Sequence, residues 1–471
     1  MVEKTEMTTQ EESRFEQRKL FYISGMYASI IAAYSVLRPL KSSVFLGFVG
    51  VNYQPVAKML LMCVSPLILF LYSKVIDRLK RSQIVALFLG FYILVCISFI
   101  GILLHPTIGL LNTTTSPNRI AGWLFYTCCD LFSVLAVGTF WAFTNSISSP
   151  KSSRRSYGKI VATSRVAGIF SPMIGLLVMW YSPFSERINI PIMLGLTGFF
   201  IAIALLFIFL LHKRIPKEYL AGYAEETLKK SETQIAKKKT GMFEGLKMLL
   251  SKPYVFGIFA VVYSFEIILT FTEFQWQRWM SSHTHNSVSG ITKYMFYYTS
   301  AFQVVALAIA VFGTTNLLKK VGVRTCLLLT PIIVSILMFG VAVHQGFITL
   351  AITLIMLRAL HYAFNQPVTE ILYIPTTRDI QFKSKAWIES FGKPLSKASG
   401  SAYNYLYTLQ SSFISAISAS LLPATVAGIW VVVAFLIGKK YQDTVTSGRV
   451  IGAADVVDDP EDAEESEESN L

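Results

Sequence analysis

Long apolar runs, each near the length of a membrane-spanning helix, recur from residue 20 to residue 438. A helix needs about 20 apolar residues to cross the hydrocarbon core of a bilayer. Inside lipid every backbone N–H and C=O must find its partner within the protein, which leaves helices and closed barrels as the only spanning forms. Barrel strands would read as alternating segments of about ten residues. The runs here are continuous, so the fold class expected is an all-α membrane bundle. Charged residues make up only 15% of the 471-residue chain, against about 25% in soluble domains. A water-exposed globule of this composition is therefore excluded.

Twelve helices are predicted, at roughly 20–45, 55–76, 84–105, 120–146, 160–182 and 189–212, and then 254–279, 292–317, 323–344, 347–373, 385–411 and 413–438. Basic residues collect in alternate connections. They include Lys74, Arg78, Lys80 and Arg81; Lys151, Arg154, Arg155 and Lys159; Lys213, Arg214 and Lys237 to Lys239; Lys319, Lys320 and Arg324; Arg378, Lys383 and Lys385; and Lys439 with Lys440. The intervening loops hold few, Arg119, Arg187 and Lys293 among them. Basic loops stay in the cytoplasm, so both termini are expected there. The run Leu20 to Leu37 lacks a small-residue cleavage site and reads as a retained helix.

The organisation expected is a cytoplasmic segment 1–19, a six-helix half 20–212, a cytoplasmic linker 213–253, a second six-helix half 254–440, and an acidic disordered tail 441–471. The net charge of +14 is scattered between apolar runs. It does not form the basic face of a nucleic-acid-binding domain. The five cysteines sit in or beside apolar runs with no metal or disulfide spacing.

Ionisable residues inside the runs carry the functional argument. Arg38 and Lys41 end the first helix, Asp130 lies in the fourth and Arg165 early in the fifth. Glu266 and Glu273 lie in the seventh, Arg358 in the tenth, and Glu389, Lys393 and Lys397 in the eleventh. Each costs about 2.5–3.5 kcal/mol at a helix centre if it faces lipid. They must line a wet path or pair with one another. Arg38, Lys41 and Arg165 have the alternative of snorkelling to the surface. Asp130 and Glu273 are too short for that, but a buried structural ion pair is open to them. Lys393 and Lys397 share one face among Ser396, Ser399, Gly400 and Ser401. Cations outnumber carboxylates, so the path favours anions, phosphates above all. No phosphate-cradling Gly-rich loop is present, so no ATP hydrolysis, enzymatic activity or cofactor is expected. Trp276 and Trp279 read as membrane-interface anchors, and Tyr403, Tyr405 and Tyr407 as packing residues.

A weak internal repeat supports two parallel halves. Ala142-Phe143-Thr144-Asn145, a basic loop and a helix with Arg165 are echoed by Ala363-Phe364-Asn365-Gln366, a basic loop and a helix with Lys393 and Lys397. That is the layout of the major facilitator architecture, with a basic central cavity between its halves.

Three segments resemble the nucleotide transporter family, the ATP/ADP translocases of plastids and obligate intracellular bacteria. They are Leu37-Arg38-Pro39-Leu40-Lys41, the stretch Phe125 to Tyr157 with Asp130 and Phe140-Trp141 followed by Asn145, and Arg378 to Gly400 with Pro394-Leu395 followed by Lys397. Glu273 with Trp276 is a weaker fourth match. The resemblance implies nucleotide transport, by ATP/ADP exchange or uptake through alternating access, in a bacterial inner membrane. The partners expected are a nucleotide or other phosphate-bearing small molecule and the lipid bilayer, with the protein a monomer. Transport roles are implied for Lys41, Asp130, Glu273 and Lys397. With Arg38, Asn145 and Lys393 these form the expected substrate site. Ser42 stands where the family has Asp, Asp130 and Glu389 exchange one carboxylate for the other, and Gln277 stands where Lys is common. The departures at Ser42 and Gln277 keep one alternative in view, proton-coupled transport of another anionic metabolite; the acidic tail and the basic central loop keep a second, a non-transporting membrane sensor or scaffold.

Overall fold

The computed structural model describes residues 2–76, 79, 81–148, 150–184, 186–216, 220, 244–311, 315–344, 346–377, 380–409 and 412–452. Most of the linker, the basic run Lys237 to Lys239, Arg378 and the acidic tail from residue 453 lie outside the described residues. Among the described residues the chain is helical, and its one β feature is an isolated bridge between Thr376 and Ile451.

In chain order the helices are α1 (Val2–Phe48), α2 (Gln54–Ile76), α3 (Arg81–Leu104), α4 (Ile120–Ile147), α5 (Pro150–Tyr181) and α6 (Glu186–Arg214). After the short α7 (Glu244–Ser251) come α8 (Pro253–His283), α9 (Val288–Ile309), α10 (Thr315–Val343), α11 (Phe347–Ile371), α12 (residues 380–409) and α13 (Ser412–Thr446). Each predicted segment overlaps one of these. Nine of them, among the described residues, are long and apolar enough to span a membrane. Over their described residues α2, α9 and α12 do not reach that threshold. In α12 the reason is visible: Lys383, Lys385, Glu389, Lys393 and Lys397 fall within one short stretch.

In four of the spans burial and hydropathy run opposite ways, as expected when lipid is the solvent. α3 and α6 have mean hydropathies of 2.7 and 2.8, yet only 28% and 33% of their apolar windows is buried. α1 and α8 are less apolar, at 1.6 and 2.0, and are 67% and 78% buried. Leu94, Ile97, Phe199 and Phe209 point outward from α3 and α6. In water they would form apolar patches of a size monomers rarely expose.

The polar segment 1–19 is not separate from the first span. α1 continues through it, because residues 2–19 hold no Gly or Pro and are rich in the strong helix formers Glu, Gln, Lys, Arg and Met. At its other end α1 stops at Gly50, whose φ of 105° is open to glycine without strain. The loop 105–119 that follows α3 is organised by Arg119. Its guanidinium donates to the carbonyls of Ile108 (2.9 Å), Gly109 (2.8 Å), Asn112 (2.9 Å) and Thr114 (3.2 Å), and lies 3.5 Å from the centre of the Phe48 ring.

The described chain divides into two compact units. The first is Met1–Lys237 with Glu273–Val305 and Ser401–Leu409; the second is Lys238–Thr272 with Ala306–Gly400 and Gln410–Leu471. The division crosses the helices α8, α9 and α12 and does not follow the two sequence halves. In the first unit an aromatic-rich core joins α1, α3 and α4 through Met26, Phe45, Tyr92, Phe132 and Phe140, and Phe296 of α9 belongs to it. Gly175 of α5 admits Phe296: an added Cβ would stand 2.6 Å from the ring. In the second unit α10 lies along α13, and Phe265, Cys326, Leu357, Ile388 and Trp430 are all buried.

Candidate functional site

The first unit gathers four of the expected site residues. Arg38 and Lys41 are three residues apart on α1, hence on one face. Pro39 lies between them and lacks the N–H that would bond the preceding turn. Lys41 donates to a carboxylate oxygen of Asp130 on α4, and its ammonium lies 4.6 Å from the centre of the Tyr126 ring. Tyr126 is one turn before Asp130 and is buried. It feels the charges of Lys41, Asp130, Glu273 and Arg38 together. Glu273 bonds Lys58 of α2 at 3.0 Å, and the two side chains are 17% and 13% exposed.

Lys58 and Tyr126 are absent from the expected site. Lys58 stands near the start of a predicted helix, where a lysine ordinarily snorkels. The one available signal was the partner need of Glu273, and the sequence does not say who meets it. Directly after Asp130 the helix widens into a π turn at Ser133–Val137. Such turns often sit at functional places because the extra residue shifts the side chains that follow.

Asn145 stands apart from this cluster. It is fifteen residues beyond Asp130, about 20 Å along the helix axis. It is exposed, and its side-chain oxygen accepts a bond from the Tyr157 hydroxyl. At the same end of α4, Lys19 is buried and donates to the carbonyl of Ile147 at 2.5 Å, closing off the helix terminus as basic groups do.

The second unit holds Lys393 and Lys397. Lys393 follows a π turn at Ile388–Gly392 and bonds Glu389 at 2.5 Å. Lys397 lies one turn further and acts on buried Glu266 of α8, together with His361, Arg358 and Lys393. α12 and α8 approach closely here. A Cβ on Gly400 would meet Thr270 at 3.1 Å, and the Tyr263 hydroxyl donates to Ser399 at 2.9 Å. A second π turn of the unit, His361–Asn365, interrupts α11 at the same place.

One sequence expectation is overturned. Trp276 is not an interface anchor: it is 2% exposed, and its ring stacks with that of Trp279 at 6.3 Å and 9°. Trp279 in turn stacks on His283, and Tyr294 meets all three rings edge-on. Aromatic contacts of this geometry gain from the ring quadrupoles, and they hold Trp276 inside the protein, while Trp279 is half-buried. Among the described residues no group of three or more His, Cys, Asp or Glu is placed to hold a metal ion.

Comparison with known proteins follows this geometry. The chain is 23% identical over 433 residues to ADP,ATP carrier protein 1 of Rickettsia bellii (strain RML369-C), covering 82% of this chain and 85% of that protein. Among solved structures it resembles the nucleoside transporter NupG, with a TM-score of 0.55, 14% identity and coverage of 91% and 99%. It also resembles the xylose transporter XylE from E. coli in its inward open conformation, with a TM-score of 0.53, 15% identity and coverage of 90% and 96%. At such identities the structural likeness speaks of the fold, a major facilitator-like helical bundle. Residues 11–441 match the TLC ATP/ADP transporter family, and this integral membrane protein, with its ionised pairs set among apolar helices, belongs to that family.

Proposed function

We propose that the protein moves a nucleotide across the membrane by alternating access. The observation that carries the reading is the pair of intramembrane charge clusters, Arg38, Lys41, Lys58, Asp130 and Glu273 in one unit and Arg358, Lys393, Lys397, Glu266 and Glu389 in the other. Each holds three cations against two carboxylates, a surplus that suits an anion. An ammonium or guanidinium that gives up a carboxylate can take a phosphate in its place. A resident ion pair therefore satisfies the cation while the site is empty and can give way to a substrate carrying the same charge as the carboxylate. The relatives are called ADP,ATP carriers, which makes adenine nucleotides the first candidates. In one unit Lys41, with Arg38 on the same face, and in the other Lys397, with Lys393 one turn away, are the groups that suit phosphates. Asp130 and Glu273 are the exchangeable partners. Asn145 lies off this path. The basic connections of the sequence favour cytoplasmic termini, and the bacterial carriers that the chain resembles favour a bacterial inner membrane.

The test is uptake of labelled ATP and ADP by cells expressing the chain, scored against the amount of protein in the membrane. Lys397→Ala is expected to abolish uptake with insertion intact. Absence of any nucleotide uptake by the inserted wild type would end this reading.

A further inference from the structure

The proposed nucleotide site leaves two titratable groups of the second unit without a task. Glu266 is 5% exposed, and among the described residues its Oε2 has no hydrogen-bond partner. His361, at the start of the π turn in α11, lies flat on Phe265 with ring centres 4.4 Å apart and 7° between planes. Its Nδ1 is buried and also has no hydrogen-bond partner among the described residues. Phe265 precedes Glu266 on α8, so the stacking brings the imidazole to the level of Glu266 on that helix, where the two groups act on each other electrostatically.

The charged and titratable groups that act on Glu266 are Lys397, His361, Arg358 and Lys393; those that act on His361 are Glu266, Arg358, Lys393 and Lys397. Lys393 is further engaged by Glu389. From α13, Trp430 meets Phe265 edge-on at 6.0 Å and adds no charge, and Tyr362 meets the imidazole edge-on at 5.2 Å.

Buried polar atoms in folded proteins are nearly always bonded. Here two unbonded ones share one neighbourhood, a carboxylate oxygen and a ring nitrogen. A neutral imidazole always has one nitrogen able to accept a proton. A proton can therefore be added without breaking any bond already made. The charge count says when. Arg358, Lys393 and Lys397 against Glu266 and Glu389 leave one surplus positive charge. A second positive charge on His361 is opposed in these apolar surroundings. An anion seated on the three cations removes that opposition and releases Glu266 from Lys397 to face the imidazole. By linkage, the anion then favours the proton as much as the proton favours the anion.

We propose that Glu266 and His361 form a proton-binding site that fills when an anionic substrate occupies Lys397, Arg358 and Lys393, so that one proton travels with each anion. The proton comes from the solution on the entry side, joins the free ring nitrogen to give an imidazolium opposite the Glu266 carboxylate, and leaves to solution on the exit side with the anion. No other bond is made or broken. The inference rests on the nucleotide reading above for its anion.

The experiment uses the full chain in proteoliposomes loaded with a pH-sensitive dye. Counterflow of labelled ATP against unlabelled ATP at equal pH reports the nucleotide reading alone, because exchange of loaded carriers needs no net proton movement. Net ATP entry with and without a one-unit acid-outside gradient reports the proton site. One proton per ATP predicts about tenfold greater accumulation per pH unit, with acidification of the lumen. Glutamine at position 361 cannot take up a proton, so His361→Gln is expected to lose both the gradient response and the dye signal. Glu266→Gln is expected to lose them too. Wild-type accumulation indifferent to the gradient, in vesicles with active counterflow, overturns the proposal without any variant. A full gradient response in His361→Gln overturns the assignment of the proton to this site. Wild-type vesicles without counterflow sink the nucleotide reading and this inference with it.

Discussion

Replacing Lys58 by methionine keeps the aliphatic stem and removes the ammonium that faces Glu273 at 3.0 Å. At that distance and an effective dielectric constant near 20, the gross attraction is about 5 kcal/mol. Most of it offsets the loss of hydration, because both side chains are largely buried. What remains is asymmetric. Removing one partner leaves a buried charge and costs about 3–5 kcal/mol, whereas removing both leaves none. Glu273 also has other polar or electrostatic neighbours, which places the single variant near the lower end, about 3 kcal/mol. The assay is a thermal melt of purified Lys58→Met, Glu273→Gln and the double variant, read as a double-mutant cycle. The expected coupling is about 2 kcal/mol, with the double variant more stable than Lys58→Met. The charge reversal Lys58→Glu with Glu273→Lys should recover most of the melting temperature. Strict additivity, with coupling under about 0.5 kcal/mol, would show that the two groups do not sense each other and would refute the pairing.

Lys41→Gln should leave Asp130 without its cation and reduce nucleotide uptake at least about tenfold, equivalent to the loss of about 1.4 kcal/mol of binding, as measured by labelled ATP uptake per membrane protein. Asn145→Ala, which touches Tyr157 and not the charged cluster, should hold uptake within about twofold in the same assay, consistent with a surface change. Gly400→Leu drives a branched side chain into Thr270, whose nearest atoms stand 3.1 and 3.2 Å from the position of a Cβ. Overpacking of that kind costs about 1–3 kcal/mol, and a lowered melting temperature in detergent would register it.

Much of the bundle was legible because lipid reads sequence coarsely. Twenty apolar residues in a row must form a helix wherever they end up, and every predicted segment overlaps a helix of the described residues, nine of them long and apolar enough to span a membrane. The same uniformity hid the site. A helix that is apolar all round carries no stripe to say which face meets which neighbour. Nothing in the sequence therefore singles out Lys58, although it serves a carboxylate 215 positions away. Trp276 looked like a headgroup anchor because its position near a helix end is typical of one; its burial depends on the Trp279 ring and on Tyr294 from another helix. Asn145 entered the expected site through a motif, and its distance from Asp130 along α4 sets it apart.

The residues alone determined that this protein lives in a membrane, that its helices are many, and that buried charges must find partners or water, because the energy of an ion in hydrocarbon allows nothing else. Tertiary structure alone decided which charges meet. Lys41 finds Asp130 across 89 positions, and Glu266 comes to lie among His361, Arg358, Lys393 and Lys397. Ion pairing is a matter of a few ångströms between side chains on different helices, and that separation is set by how the helices pack rather than by the order of residues along any one of them.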